Sequence, residues 1–114
     1  MLPKINRLKK RTAFNATYRT GKTFFNGGIT LFCGKENKEN IPTKIGFVVS
    51  KKTHKRAVKR NRIKRLMRES VRLLLKDNAL NSKYISLIFV ASAKLLNKNF
   101  DDINNSIIKI MESL

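Results

Sequence analysis

Two sets of side chains in this 114-residue chain have types that could do or support chemistry, and they point in different directions. The first is the acid–base set: Glu36, Glu39, Glu69, Asp77, Asp101, Asp102, Glu112 and a single histidine, His54. Hydrolysis by side chains needs carboxylates clustered around a metal, or a histidine paired with a second acid–base group. These acids do not cluster that way. Glu36 and Glu39 fall in a polar turn, Glu69 lies among arginines, and Asp101 and Asp102 open a helix whose positive end accounts for them. His54 has no partner and sits among Lys51, Lys52, Lys55 and Arg56, a position suited to contact with phosphate or solvent. No phosphate-cradling glycine loop, zinc spacing or nucleophile beside a base is present. The residues therefore predict no catalytic side chain and no metal ligand.

The second set is cationic. "KKTHKRAVKRNRIKRLMR", Lys51 to Arg68, places ten lysines and arginines in eighteen residues without an acid. The whole chain carries 26 basic and 7 acidic residues, a formal charge of +19, which favours nucleic acid or an anionic membrane surface as partner. Arrangement says more than bulk charge. On a helix from Arg56 to Lys76, Ile63, Leu66, Met67, Val71 and Leu74 fall on one side. Asn61, Arg65, Arg68 and Arg72 fall opposite, flanked by Lys64 and Arg62. Guanidinium forks bond phosphate bidentately, and Asn61 is placed either to read a base edge or 2′-hydroxyl or to be solvated. An ordinary solvated face mixes signs; this one does not. Glu69 reads as an intrahelical partner of Arg65 or Arg72.

Phe14, Tyr18 and Phe32 form a third constellation. Phe14 and Tyr18 are four apart and share a helix face, and Phe32 alternates with Leu31 and Cys33. Such a group is commonly plain core. Ringed by Arg19, Lys22 and Lys51, it is also the composition of a platform for unpaired bases. On the residues alone both readings stand.

The elements that must position these groups fit one domain, long enough to bury about two thirds of its unfolded surface. The hydrophobic fraction of 41% supports a folded core. No apolar run spans a bilayer, since the longest, "YISLIFVA", is strand length, and "MLPKINRLKKRT" has no signal-peptide core. Cys33 cannot form an internal disulfide, suits a reducing cytoplasm, and reads as a small core residue. Residues 1–10 are expected as a flexible basic arm. A helix from Thr12 to Thr20 follows, with Thr12 as N-cap and Gly21 as stop. The chain is extended from Phe24 to Gly34, and "GKENKENIP" is a polar turn. The strand Lys44–Ser50 is expected to pair with the preceding one as an antiparallel hairpin. After the basic helix come a loop, a central apolar strand "YISLIFVAS", and a last helix capped by Asn99 with a stripe of Phe100, Ile103, Ile107, Ile110, Met111 and Leu114. The class is α+β, a small four-stranded sheet packed with three helices in the order α-β-β-β-α-β-α.

"GFVVSKK" followed by "AVKRNRIKRLMRE" resembles the bacterial ribonuclease P protein component, whose hallmark Arg-Asn-Arg helix is matched by Arg60, Asn61 and Arg62. "RLKKRTAFNATYRTGKTF" resembles the family's N-terminal segment, so the likeness covers nearly the whole chain. It implies a protein cofactor of a ribozyme, in which a catalytic RNA subunit with Mg²⁺, bound mainly by that RNA, removes the 5′ leader of precursor tRNA. The RNA-subunit face would comprise Lys51, Lys52, Arg56, Lys59, Arg60, Asn61, Arg62, Lys64, Arg65, Arg68 and Arg72. The single-stranded leader would lie against Phe14, Tyr18 and Phe32, with Arg19 and Lys22 beside them. One protein per RNA, a cytoplasmic setting, and no membrane or DNA partner are implied. So is a left-handed parallel crossover, rare because about 98% of crossovers are right-handed. Two departures occur. "THKRAVK" replaces the glycine-containing turn of many relatives, and Tyr18 and Phe32 stand where Phe and Tyr alternate.

Three rival readings remain at this point. A small ribosomal-type RNA-binding protein would carry the same basic helix without needing the aromatic cleft. An autonomous nuclease would cut without an RNA subunit. A DNA-binding helix-turn-helix fits poorly, because the basic helix follows a strand rather than a helix and short turn.

Overall fold

The computed structural model describes residues 2–52 and 54–114. Helix α1 spans Arg11–Arg19, strands β1 and β2 span Lys22–Asn26 and Ile29–Cys33, and β3 spans Lys44–Val48. Helix α2 spans Ala57–Lys76, β4 spans Ser86–Ala91, and α3 spans Phe100–Ser113. Short 3₁₀ turns lie at Lys4–Asn6 and Ala93–Leu95. The α+β class and the element order are those read from the sequence.

The strand order is β1-β2-β4-β3, with β3 and β4 parallel and the other pairs antiparallel. The expected hairpin between β2 and β3 does not form, because β4 lies between them. Leu87, Ile88 and Phe89 of β4 are all fully buried, so this strand is apolar on both faces and takes a central place. The helical crossover through α2 then delivers β4 parallel to β3. The tight hairpin joins β1 to β2 instead. Gly27 and Gly28 both have positive φ, +55° and +92°, as a two-residue turn matching strand twist requires.

Strand alternation gives the sheet two unlike faces. Ile29, Leu31, Cys33, Ile45, Leu87 and Phe89 point to one, where they pack on Ile63, Met67 and Val71 of α2 and Ile103, Ile107 and Ile110 of α3. Burial there pushes the Cys33 thiol up to about 11, so it behaves as a small apolar residue. Helix α1 lies on the other face. The Thr17 and Ser86 hydroxyls meet at 2.6 Å, and the Thr20 hydroxyl donates to the Cys33 carbonyl. Gly21, at φ +71°, ends the helix as expected. The start differs: α1 begins at Arg11, Lys10 holds the N-cap position with no side-chain bond, and Thr12 lies inside the first turn. Asn99 does cap α3, accepting from the Asp102 amide at 2.9 Å.

Residues 2–8, expected as part of a flexible arm, are docked on the β3 edge. Leu2 and Leu8 are buried, the Leu8 amide donates to the Ile45 carbonyl, and Asn6 donates to the Thr43 carbonyl. The segment covers part of an exposed edge strand, which otherwise carries unpaired backbone groups.

Candidate nucleic-acid interface

The cationic residues of α2 divide by what they already touch. Arg60 donates from Nη1 to the carbonyls of His54 and Lys55 at 2.9 and 2.8 Å. His54 Nδ1 accepts from the Arg56 amide at 3.0 Å, so this histidine braces the turn that opens α2. Arg62 Nη2 donates to the Lys98 carbonyl at 3.1 Å, tying α2 to the segment before α3. Arg72 forms a two-pronged bond to Glu69, at 2.9 and 2.5 Å. That fork, first by hydrogen bonding, holds the Glu69 carboxyl below the usual carboxylate range and resolves its partner as Arg72. Arg68 leans back, its guanidinium 5.9 Å from the centre of the Phe47 ring. Lys59, Asn61 and Arg65 are exposed and have no protein partner among the described residues. Lys51, Lys52 and Arg56 are exposed in the approach to the helix.

The aromatic cluster is assembled by α1 against the face of the sheet that carries Phe32. Tyr18 meets Phe32 edge-on, with ring centres 4.9 Å apart and planes at 80°. Partial burial raises the Tyr18 hydroxyl above its ordinary pKa. Phe14 packs against Gly46 of β3, so close that a Cβ there would come within 2.6 Å of the ring. Arg19 is exposed at the C-terminal end of α1. Lys22 is not brought to this cluster. It pairs with Cys33, whose side chain belongs to the opposite face, and its ammonium stands 5.0 Å over the Tyr84 ring.

The two constellations meet at one opening. A cavity of about 300 Å³ is bordered by Phe14 and Gly46 on the aromatic side and by Lys64 and Arg68 of α2 on the other. Arg7 and Lys9 of the docked N-terminal segment complete its rim. Sequence reasoning missed these two as site residues. "RLKK" advertised their charge, but only docking on β3 gives them a place.

Among the described residues no three histidine, cysteine, aspartate or glutamate side chains lie close enough to hold a metal ion. No described helix is long and apolar enough to cross a membrane. The chain thus offers a basic helix face, a half-covered aromatic cleft, and a passage between them. A family model for ribonuclease P matches residues 2–114. The chain belongs to the ribonuclease P protein family. It is 38% identical over 109 residues to the ribonuclease P protein component of Clostridium kluyveri, covering 90% of this chain and 88% of that one. The Synechococcus component is 34% identical over 114 residues, covering 98% and 84%. The solved Staphylococcus aureus RNase P protein superposes with a TM-score of 0.79 at 27% identity, over 96% of this chain and 95% of that one. The Thermotoga maritima RNase P protein, at 20% identity and a TM-score of 0.78, shows the same fold over 95% and 96%. Ribonuclease P is a tRNA 5′-processing endonuclease, and this family is its protein part, with an RNA subunit as partner. Membership sets aside the ribosomal-type and helix-turn-helix readings.

Proposed function

We propose that the chain binds the catalytic RNA subunit of ribonuclease P through the outer face of α2. In the same reading it holds the single-stranded 5′ leader of precursor tRNA in the cleft between α1 and the sheet, one protein to one RNA, in the cytoplasm. The observation that carries this is the shared opening where Phe14 meets Lys64 and Arg68. Stacking groups for unpaired bases and cations for a folded RNA are adjacent, so one chain can hold a substrate strand beside the RNA that cuts it. Exposed guanidinium and ammonium groups offset phosphate repulsion between the two RNAs, which lets Mg²⁺ sites on the RNA fill at lower concentration. In this reading Mg²⁺, which takes several oxygen ligands, is bound mainly by the RNA subunit, and hydrolysis is the work of that RNA. The side chains bind and position.

The test is cleavage of precursor tRNA at low Mg²⁺ by protein alone, RNA subunit alone, and both. Cleavage is expected to require the RNA subunit and to be strongest with both; cutting by pure protein would overturn the proposal. The leader contact is checked by Phe14→Ala with Tyr18→Ala. Stacking is worth ~1–3 kcal/mol per base, so precursor affinity should fall about tenfold or more while mature tRNA binding is unchanged.

A further inference from the structure

The face of the sheet carrying Phe32 is covered over only part of its area. Backbone pairing sets its residues in rows that run across the strands. Gly46, Ile88, Phe32 and Thr23 form one row, and Val48, Val90, Thr30 and Phe25 form the next. Residues paired across strands share a face and alternate ones return to it, so both rows look toward α1. Phe14 lies over Gly46 and Tyr18 against Phe32, which covers the first row from Gly46 to Phe32 and leaves Ile88 fully buried, with Thr23 exposed at its end. The second row is more open. Val48, Val90 and Thr30 are half-buried, and Phe25 at its end is 63% exposed. Phe24, by contrast, points to the other face and packs on the core.

A single exposed phenylalanine needs no explanation. This one ends an uncharged floor that continues directly from the aromatic cluster. Lys51 and Lys52 follow β3 and Lys94 follows β4, all exposed, at the edge where Val48 and Val90 lie. No acid occurs before Glu36, or between Lys44 and Arg68, or between Ala79 and Phe100, so β1 to β4 contain no acidic residue; Asp102 of α3 lines a cavity with Asn26 and Gly27 at the β1–β2 turn. An uncharged floor with an aromatic ring and a cationic edge suits a single strand of nucleic acid, whose bases stack while its phosphates meet ammonium groups. Phe25 and Phe32 are diagonal neighbours on adjacent strands, about 7–8 Å apart, within the reach of one nucleotide step.

We infer that Phe25 is a further stacking platform for single-stranded RNA, extending the track across the open row of the sheet to the strand farthest from β3. The inference rests on the leader-binding reading and adds to it a dependence on leader length. A leader that ends at Phe32 gains nothing from Phe25; a longer one stacks on it.

The experiment is binding of the holoenzyme to precursor tRNAs with a graded series of leader lengths. Phe25→Ala and Phe25→Thr, the second keeping strand propensity without the ring, should each weaken binding of long leaders by roughly fivefold or more. Short leaders and mature tRNA should bind as to the wild type, and Phe25→Tyr should retain full affinity. Wild-type affinity at every leader length, or an equal loss extending to mature tRNA, would overturn the inference. Phe14→Ala separates the two levels. If it weakens precursor binding while Phe25→Ala does not, only the role of Phe25 fails. If both are silent, the leader reading fails with it.

Discussion

Reversing two charges on the outer face of α2, Lys59→Glu with Arg65→Glu, is expected to abolish assembly with the RNA subunit at moderate salt and leave the fold intact. Both side chains are exposed and have no protein partner among the described residues, so their loss removes nothing from the core. Surface changes of that kind usually shift stability by less than ~0.5 kcal/mol. A charge-assisted contact to phosphate is worth ~1.5–3 kcal/mol. Two such contacts converted to repulsion should therefore weaken binding by at least about 100-fold. The salt dependence gives an independent reading. A face that neutralises ~6 phosphates should show a log–log slope of about −4 to −5, and losing two contacts should flatten it by ~2 units. Affinity measured over a salt series, beside a thermal melt, checks both. Unchanged affinity and slope would remove α2 from the RNA interface.

Arg60 and Arg62 make a useful contrast with that pair. Arg60 holds the carbonyls of the turn before α2, and Arg62 holds the Lys98 carbonyl. Arg60→Ala should lower the melting temperature as well as RNA affinity, since two backbone acceptors at the helix start lose their donor. In the Arg-Asn-Arg motif, then, charge serves the fold at two positions, and Asn61 between them faces solvent.

These double uses explain how far the sequence could be read. The two-sided character of α2 was legible because helical period separates Ile63, Met67 and Val71 from Arg65 without reference to any other element. The central place of β4 was legible because "LIF" has no polar face. Strand partners were not. A polar turn between two strands favours the local hairpin, whereas β4 pairs with β3 across 42 residues of sequence and with β2 across 54 to 62. The docking of residues 2–8 was also hidden. Leu2 and Leu8 show no period by themselves, and become core only against the β3 edge. For the candidate site, the spacing of Phe14, Tyr18 and Phe32 was informative. Lys22 is near them in sequence, but strand alternation sends it to the other face. The passage between the two constellations depends on four separate segments, the N-terminal segment, α1, β3 and α2, and no local pattern encodes it.

Gly46 is the residue on which that passage turns, and Gly46→Val should carry the second large effect. Glycine inside a strand costs stability and often marks close approach of another group. Here the group is Phe14: a Cβ would stand 2.6 and 2.7 Å from two ring atoms and 3.4 Å from a Leu8 methyl. The helix carrying Phe14 cannot simply lift away, because Thr17 is bonded to Ser86 and Thr20 to the Cys33 carbonyl. The ring itself must swing toward the cavity shared with Lys64 and Arg68. Overpacking of this kind costs ~1–3 kcal/mol, and the swing removes the stacking surface as well. Gly46→Val should therefore lower the melting temperature and reduce affinity for precursor tRNA about tenfold or more, by the worth of one lost stack. Binding to the RNA subunit through α2 should change much less. Adding Phe14→Ala gives the new methyls room, so stability should recover relative to Gly46→Val alone, a coupling of ~1–2 kcal/mol between neighbours. Precursor affinity should not recover, because the ring is then absent rather than displaced. Additive stabilities would mean that Phe14 and Gly46 are not in contact, and a rescued affinity would mean that the ring does not meet the leader.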